Sequence, residues 1–455
     1  MTRARLAGGL ALALALAACG GDPTYLPLEE LMDPATCQAC HPKHFQEWSG
    51  SMHAYASEDP VFLAMNARGQ RETGGALGDF CVGCHAPMAV RLGLTTDGLN
   101  LAEVPAYAKG VTCYFCHSVT DVEGTHNNPL TIASDGVMRG GLRDPVASPA
   151  HASAYSPLLD GDAPASSATC GACHDIVTPA GVHLERTYLE WQSSIFTGQE
   201  DPRAALSCGG CHMLSTSDVV ADVPGLDVPL RQRREHTFPG VDVALTPFPE
   251  KDAQLAAIQR DLKGAVLAKL CVQPLDGGII TLRLDALTGH NFPSGASQDR
   301  RAWAEIIAYD AADAVVFDSG VVPDGVDPED IGDPNLWEMR DRVYDELDQP
   351  VEFFWEVARV DEATLRPRIT NDVSSPDYDH STTWTYPVPG LTATITRVTA
   401  RVLIRPLPMS LFDALEASGD LTDPTLRDGV PTFQLDGTVL EWTPDTDDLD
   451  RCVTP

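Results

Sequence analysis

Cys37-Gln38-Ala39-Cys40-His41, Cys81-Val82-Gly83-Cys84-His85, Cys113-Tyr114-Phe115-Cys116-His117, Cys170-Gly171-Ala172-Cys173-His174 and Cys208-Gly209-Gly210-Cys211-His212 repeat one pattern within the first half of a 455-residue chain. Two thiols three positions apart lie on one side of a helical turn, within reach of the two vinyl groups of a single porphyrin. The residue that follows places an imidazole over the iron. The pattern is therefore read as the attachment motif of c-type haem. At this chain's Cys and His frequencies even one copy would arise in roughly one random chain in a hundred, so five are not accidental. Paired Cys-x-x-Cys knuckles also bind zinc, but a ligand directly after the second Cys fits a tetrahedral knuckle poorly.

The arrays begin at positions 37, 81, 113, 170 and 208. Five haems would then share ~180 residues, which forces them into van der Waals neighbourhood. Much of the core here is expected to be porphyrin, wrapped by short helices and irregular chain. The expected proximal iron ligands are His41, His85, His117, His174 and His212.

Of 13 cysteines, Cys19, Cys271 and Cys452 lie outside the arrays. Arg3 and Arg5 precede Leu6 to Ala18, a run of Leu, Ala and Gly alone. That is the charged and apolar pattern of a secretory signal, too short for a spanning helix. The run ends Leu16-Ala17-Ala18-Cys19-Gly20-Gly21 and resembles a bacterial lipobox, in which Cys19 becomes the lipidated N-terminus; an ordinary cleavage site is the alternative. Gly20 and Gly21 carry no acidic retention signal of the inner-membrane kind, so the expected place is the periplasm or outer membrane, with the lean to the outer membrane. Haem of the c type is attached after export, in agreement with this address. The reading divides the chain into a signal at 1–18, a linker at 19–36, a pentahaem domain at 37–245 and a second domain at 246–455.

The formal charge is −34. Nucleic acid is excluded as a partner, since phosphate binding needs clustered Lys and Arg. Positively charged redox proteins could be steered in, although simple solubility also explains the charge.

Five irons require up to five distal ligands from His44, His53, His126, His151, His183, His236, His290 and His380. His53 closes Glu47-Trp48-Ser49-Gly50-Ser51-Met52-His53. This Trp-x-x-Ser-x-His after a haem array resembles the tetrahaem cytochrome c-554 type, kin of the haem-packing folds of hydroxylamine oxidoreductase and pentahaem nitrite reductase. The resemblance implies a distal ligand at His53. A partial second copy, Glu190-Trp191-Gln192-Ser193-Ser194-Ile195-Phe196, has Phe at the ligand position, and His183 just upstream is the expected substitute. His126, His151 and His236 lie in polar, turn-rich segments where a loop can lay an imidazole over iron; each also reads as a surface histidine. His290, in Thr288-Gly289-His290-Asn291-Phe292-Pro293-Ser294-Gly295, is the alternative to these five. His44 reads as exposed and His380 as structural. Met52, Met65, Met88, Met138 and Met213 read as core fillers.

After Phe248-Pro249 the texture changes. Residues 250–271 read as one amphipathic helix, with Leu255, Ile258, Leu262, Val266 and Leu270 at helical spacing. Short β-rich runs follow at 279–287, 303–309, 315–317, 351–360, 392–407 and 432–442, with a helix at Ser410 to Ser418, which suggests a β-sandwich. The expected fold is thus a mainly α and irregular multihaem cytochrome c domain followed by a mostly-β, sandwich-like one. The Gly289 to Arg301 stretch resembles a segment found after the haem region of many multihaem cytochromes. Cys271 and Cys452 are expected to form a disulfide across the second domain. Acidic loops at Asp324 to Asp333 and Asp445 to Asp450 have the clustered carboxylates that Ca²⁺ favours; solvated surface is the competing reading.

An electron carrier docking with redox partner proteins, held at a membrane surface by its lipid, is the favoured function. The alternative is a redox enzyme with one open haem acting on nitrite, hydroxylamine or a related small molecule. Against it, no array has the lysine that resemblance to the pentahaem nitrite reductases would require.

Overall fold

Two thiols three positions apart share one side only where the backbone turns, and the arrays supply that turn. Val82–His85, Cys113–His117 and Cys208–His212 are single helical turns, while Pro34–Cys37 and Ser167–Gly171 lead into the first and fourth arrays. Thr112 and Ser207 cap two of them, their hydroxyls accepting from Phe115 N and Gly210 N; such a cap contributes ~1 kcal/mol. Helices this short do not stand alone in water. Their stability must come from packing.

The structure, a computed structural model, describes residues 25–273, 278–388 and 394–446. Around the arrays lie the helices Pro42–Ser49, Pro60–Glu72, Pro87–Arg91 and Thr187–Gln192. Two-stranded ladders fill the gaps: Val119–Val122 with Leu130–Ile132, Val137–Gly140 with Ala152–Tyr155, Ile176–Val177 with His183–Glu185, and Ser215–Asp218 with Arg231–Arg234. Val82, Ala86, Met88, Tyr114, Phe115 and Leu101 form an apolar bed beneath the second and third arrays. Part of the expected linker joins it, for Leu28–Met32 is helical and buries Leu31 and Met32 there.

The expected helix over 250–271 stops early. Helix Lys251–Leu262 ends two residues before Gly264, and Val266–Gln273 continues as a strand. Val266, Leu270 and Val272 are buried while Leu267, Lys269 and Gln273 are exposed, which is the two-residue period of a sheet. Val266 and Leu270 suit either period; the glycine decides. Val266–Gln273, Ile279–Ala286 and Thr382–Pro387 form an antiparallel sheet with Ile279–Ala286 central. Arg301–Tyr309 and Arg397–Arg405 centre a six-stranded sheet completed by Val315–Ser319, Trp337–Met339, Phe433–Gln434 and Leu440–Trp442. Ile280, Leu282 and Leu284 of the first sheet share one core with Ala304, Ile306, Val402 and Ile404 of the second, as facing sheets do. Burying each such Leu or Ile contributes ~1.5–3 kcal/mol. The expected strand at 351–360 is instead a 3₁₀ turn, Phe354–Glu356, and the short strand Arg359–Asp361.

Helix Pro60–Glu72 packs Val61 and Ala64 against Leu411, Phe412 and Leu415 of helix Met409–Ser418, joining the haem-array region to the sheets. A half-buried ion pair adds to the join: the Arg300 guanidinium donates twice to the Asp242 carboxylate at 2.6 Å and once to Pro406 O at 2.6 Å. The loop at Asp324 to Asp333 turns two carboxylates inward. Asp327 accepts from Met409 N and Ser410 N, and Asp333 from Ser319 Oγ and Gly320 N. Most of the Asp445 to Asp450 loop lies outside the described residues. Cys271 is disulfide-bonded; Cys452, its expected partner, and Cys19 also lie outside them. Among the described residues no helix is long and apolar enough to cross a membrane.

Candidate haem sites

A metal–imidazole bond of ~2 Å on each side of one iron holds two ring centres ~6 Å apart. Four array histidines have an imidazole at that separation. His41 faces His151 at 6.3 Å, His117 faces His236 at 6.3 Å, His174 faces His53 at 6.2 Å and His212 faces His290 at 6.2 Å. His85 differs. Its imidazole is stacked by Phe62, ring centres 3.9 Å apart and planes 3° from parallel, and no second histidine ring among the described residues stands opposite it.

The rings are prepared to bind metal. His41 Nδ1 donates to Val220 O at 2.8 Å, His85 Nδ1 to Ala56 O at 3.1 Å, His212 Nδ1 to Pro239 O at 2.9 Å and His290 Nδ1 to Asn291 O at 2.8 Å. His117, His151 and His236 make the same kind of bond to Arg139, Ala152 and Arg234 carbonyls. A proton held on Nδ1 leaves the Nε2 lone pair for iron. Burial, followed by neighbouring imidazoles, pushes His53 down to about 3. Burial is also the first cause that brings His236 to about 3 and His290 to about 4. These rings are therefore neutral, the form a metal takes.

The attachment thiols of different arrays meet. Cys37 lies beside Cys113, Cys84 beside Cys173, and Cys170 beside Cys208. Cys116 acts electrostatically on Cys170 and Cys173. A porphyrin held at each thiol pair would meet its neighbours at these contacts, in the order first–third–fourth–fifth, with the second branching from the fourth. The donor set fits haem: paired thiols on turns, an imidazole beside each pair, and facing imidazoles at the span of one iron. When bound, haem supplies one-electron chemistry, and the chain sets its environment.

The structure brings His53, His151 and His236 opposite array histidines. It does not do so for His126 and His183, which face each other at 6.4 Å. The cause is backbone: Asn127 and Asn128 both adopt left-handed conformations, φ +57° and +55°. Asn128 N and Nδ2 bond the fourth and second arrays at Ala172 O and Gly83 O, and Asn127 pairs its amide with Val177. That anchoring turns His126 towards the strand bearing His183. His290 occupies the place expected of His183. His44 is not exposed; it lies edge-on to His236 at 4.7 Å and near His41 at 5.9 Å, and burial pushes it down to about 2. His380 Nε2 contacts Ala286 O at 3.2 Å, a place in the sheet.

The two Trp motifs are equivalent in space. Trp48 Nε1 donates to Val111 O at 2.8 Å, and Trp191 Nε1 to Leu206 O at 3.0 Å, in each case two residues ahead of an array. Val111 N donates back to His53 O at 2.8 Å, and Leu206 N to Phe196 O at 2.9 Å. His53 and Phe196 thus hold corresponding positions. Phe196 has no donor atom to offer a metal, and Gly289, beside His290, lies against its ring; a Cβ on Gly289 would lie 3.4 Å from it.

The family "Cytochrome c554 and c-prime" matches residues 36–118. Among solved structures, a penta-heme cytochrome c552 from Thermochromatium tepidum is similar, with 19% identity over 92% of this chain and 100% of that one at a TM-score of 0.63. No curated protein matches the chain. The arrays, the facing imidazoles and this fold resemble those of c554-type multihaem cytochromes c, the family that residues 36–118 match.

Proposed function

We propose that the protein carries five haems, one on each array, and passes electrons along the first, third, fourth and fifth, each iron held by the histidine pair at its site. The carrying observation is the coincidence of four facing imidazole pairs with the thiol contacts that join those same four arrays in a row. An iron with two imidazoles keeps its coordination on gaining or losing an electron, which suits transfer over binding. The Arg3 to Gly21 pattern supports an exported protein, lipid-anchored through Cys19 at the outer membrane or in the periplasm, serving redox partner proteins. The chain reads as two domains, the haem region and a sheet-rich module of no second chemistry, with the Cys271–Cys452 disulfide closing the latter.

One observation favours a second reading. The branch site at His85 has Phe62 on its imidazole and no facing histidine. A haem there would be open to nitrite, hydroxylamine or a related small molecule. Electron paramagnetic resonance of the oxidised protein separates the readings. Four low-spin centres and one high-spin centre that shifts on adding nitrite or cyanide support a wire with a reactive branch. Five low-spin centres, silent to both ligands, leave the wire alone. Several high-spin centres would sink both.

A further inference from the structure

The two Trp motifs each begin with a glutamate, and both carboxylates do the same thing. Glu47 Oε2 accepts from the backbone N–H of His236 at 2.9 Å and from Arg233 Nη1 at 2.8 Å. Glu190 Oε2 accepts from the backbone N–H of Asn291, next to His290, at 3.0 Å and from Ser294 Oγ at 2.6 Å. Each glutamate stands one residue before a tryptophan whose indole is tied to the approach of an array, the third in one case and the fifth in the other. His236 and His290 are the imidazoles that face those same two arrays. One short helix therefore grips an array with its indole and, with the neighbouring carboxylate, the distant segment that brings the opposing imidazole. The two ends are far apart in sequence, 47 to 236 and 190 to 291. A local turn cannot set their spacing.

We infer that Glu47 and Glu190 are positioning residues for the distal histidines of the third and fifth sites, each fixing the separation between an array and its opposing imidazole. Hydrogen bonds from backbone N–H to carboxylate are charge-assisted and directional, and outer partners of metal ligands orient them. A buried N–H without its acceptor pulls its segment towards another partner. Asn291 N would do so in an alanine variant, drawing His290 off the iron. Glutamine keeps a carbonyl oxygen at the same reach and preserves the bond without the charge.

This inference rests on the proposed ligation of those sites by His236 and His290. The test is spin-state quantitation by electron paramagnetic resonance on the haem-loaded protein, with wild type, Glu190→Ala, Glu190→Gln and Ser294→Ala compared. Expected are conversion of one low-spin centre to a high-spin, cyanide-binding one in Glu190→Ala, a wild-type spectrum in Glu190→Gln, and partial conversion of the same centre in Ser294→Ala. Glu47→Ala should convert a different centre. If Glu190→Ala yields no folded protein, the glutamine and serine variants decide by the same criteria. Wild-type spectra in both alanine variants at Glu190 and Ser294 would overturn the inference and leave the ligation standing. Loss of all centres together would overturn it as well. A wild type without low-spin bis-imidazole centres would show instead that the underlying ligation is wrong.

Discussion

His290 owes its place to contacts that are remote in sequence. Its Nδ1 donates to Asn291 O, and its ring stacks 13° from parallel with His212 across 6.2 Å. His290→Ala should therefore turn one haem in five high-spin. His126→Ala and His183→Ala should leave the haem spectrum unchanged, because those rings face each other. Visible and electron paramagnetic spectra of the three variants check this, and a high-spin signal from His126→Ala would count against the assignment. The candidacy of His53, which faces His174, was legible in the sequence because tryptophan, serine and histidine lie within one local motif. His290 was not, because its partner array is in the other half of the chain and spacing carries no information at that range. The pairing of His126 with His183 was not legible either: a polar turn shows that an imidazole can be presented, but its direction depends on the left-handed Asn127 and Asn128.

Short elements here tolerate little change, since each array is packed against its neighbours. Gly171, inside the fourth array, lies under Tyr188, and a Cβ would sit 2.2 Å from the ring's Cγ. Gly171→Val should destabilise the protein by ~1–3 kcal/mol, as overpacking does, measured by thermal unfolding of the haem-loaded form. The Ile176–Val177 and His183–Glu185 ladder ends on Glu185, whose carboxyl burial raises from 4.5 to about 7 beside Arg300, Asp299 and Asp242. In the folded state this group keeps its proton where the unfolded chain loses it. Its contribution to stability is full below pH 4.5 and is lost as pH rises through about 7, in accord with linkage. Glu185→Gln, neutral throughout, should show a smaller fall in Tm than wild type over that window; parallel curves would contradict the account. At this scale the arrays, the Ser410 to Ser418 helix and several strands were legible from pattern. The change from helix to strand after Leu262 was not, because Val266 and Leu270 satisfy both periods and only Gly264 breaks the tie. The small ladders between arrays were also missed. Strands of two to four residues carry too few alternations to register.

Across the whole molecule, the repeated Trp motif explains why the haem region and the sheets are joined where they are. In the first copy, His53 reaches an imidazole of the fourth array; in the second, Phe196 is covered by Gly289 of the sheet-rich part. The charge of −34 should make association with a basic redox partner fall steeply as salt is raised, while an acidic partner gains. Stopped-flow electron transfer with one partner of each sign, at low and high ionic strength, measures this; equal salt dependence would contradict steering. All of these expectations depend on porphyrin bonded at the five Cys pairs. Intact mass spectrometry of the purified, denatured protein tests that directly. The account predicts the polypeptide mass plus five haem groups, retained after acid–acetone extraction; a mass equal to the bare chain, with or without lipid, would contradict it.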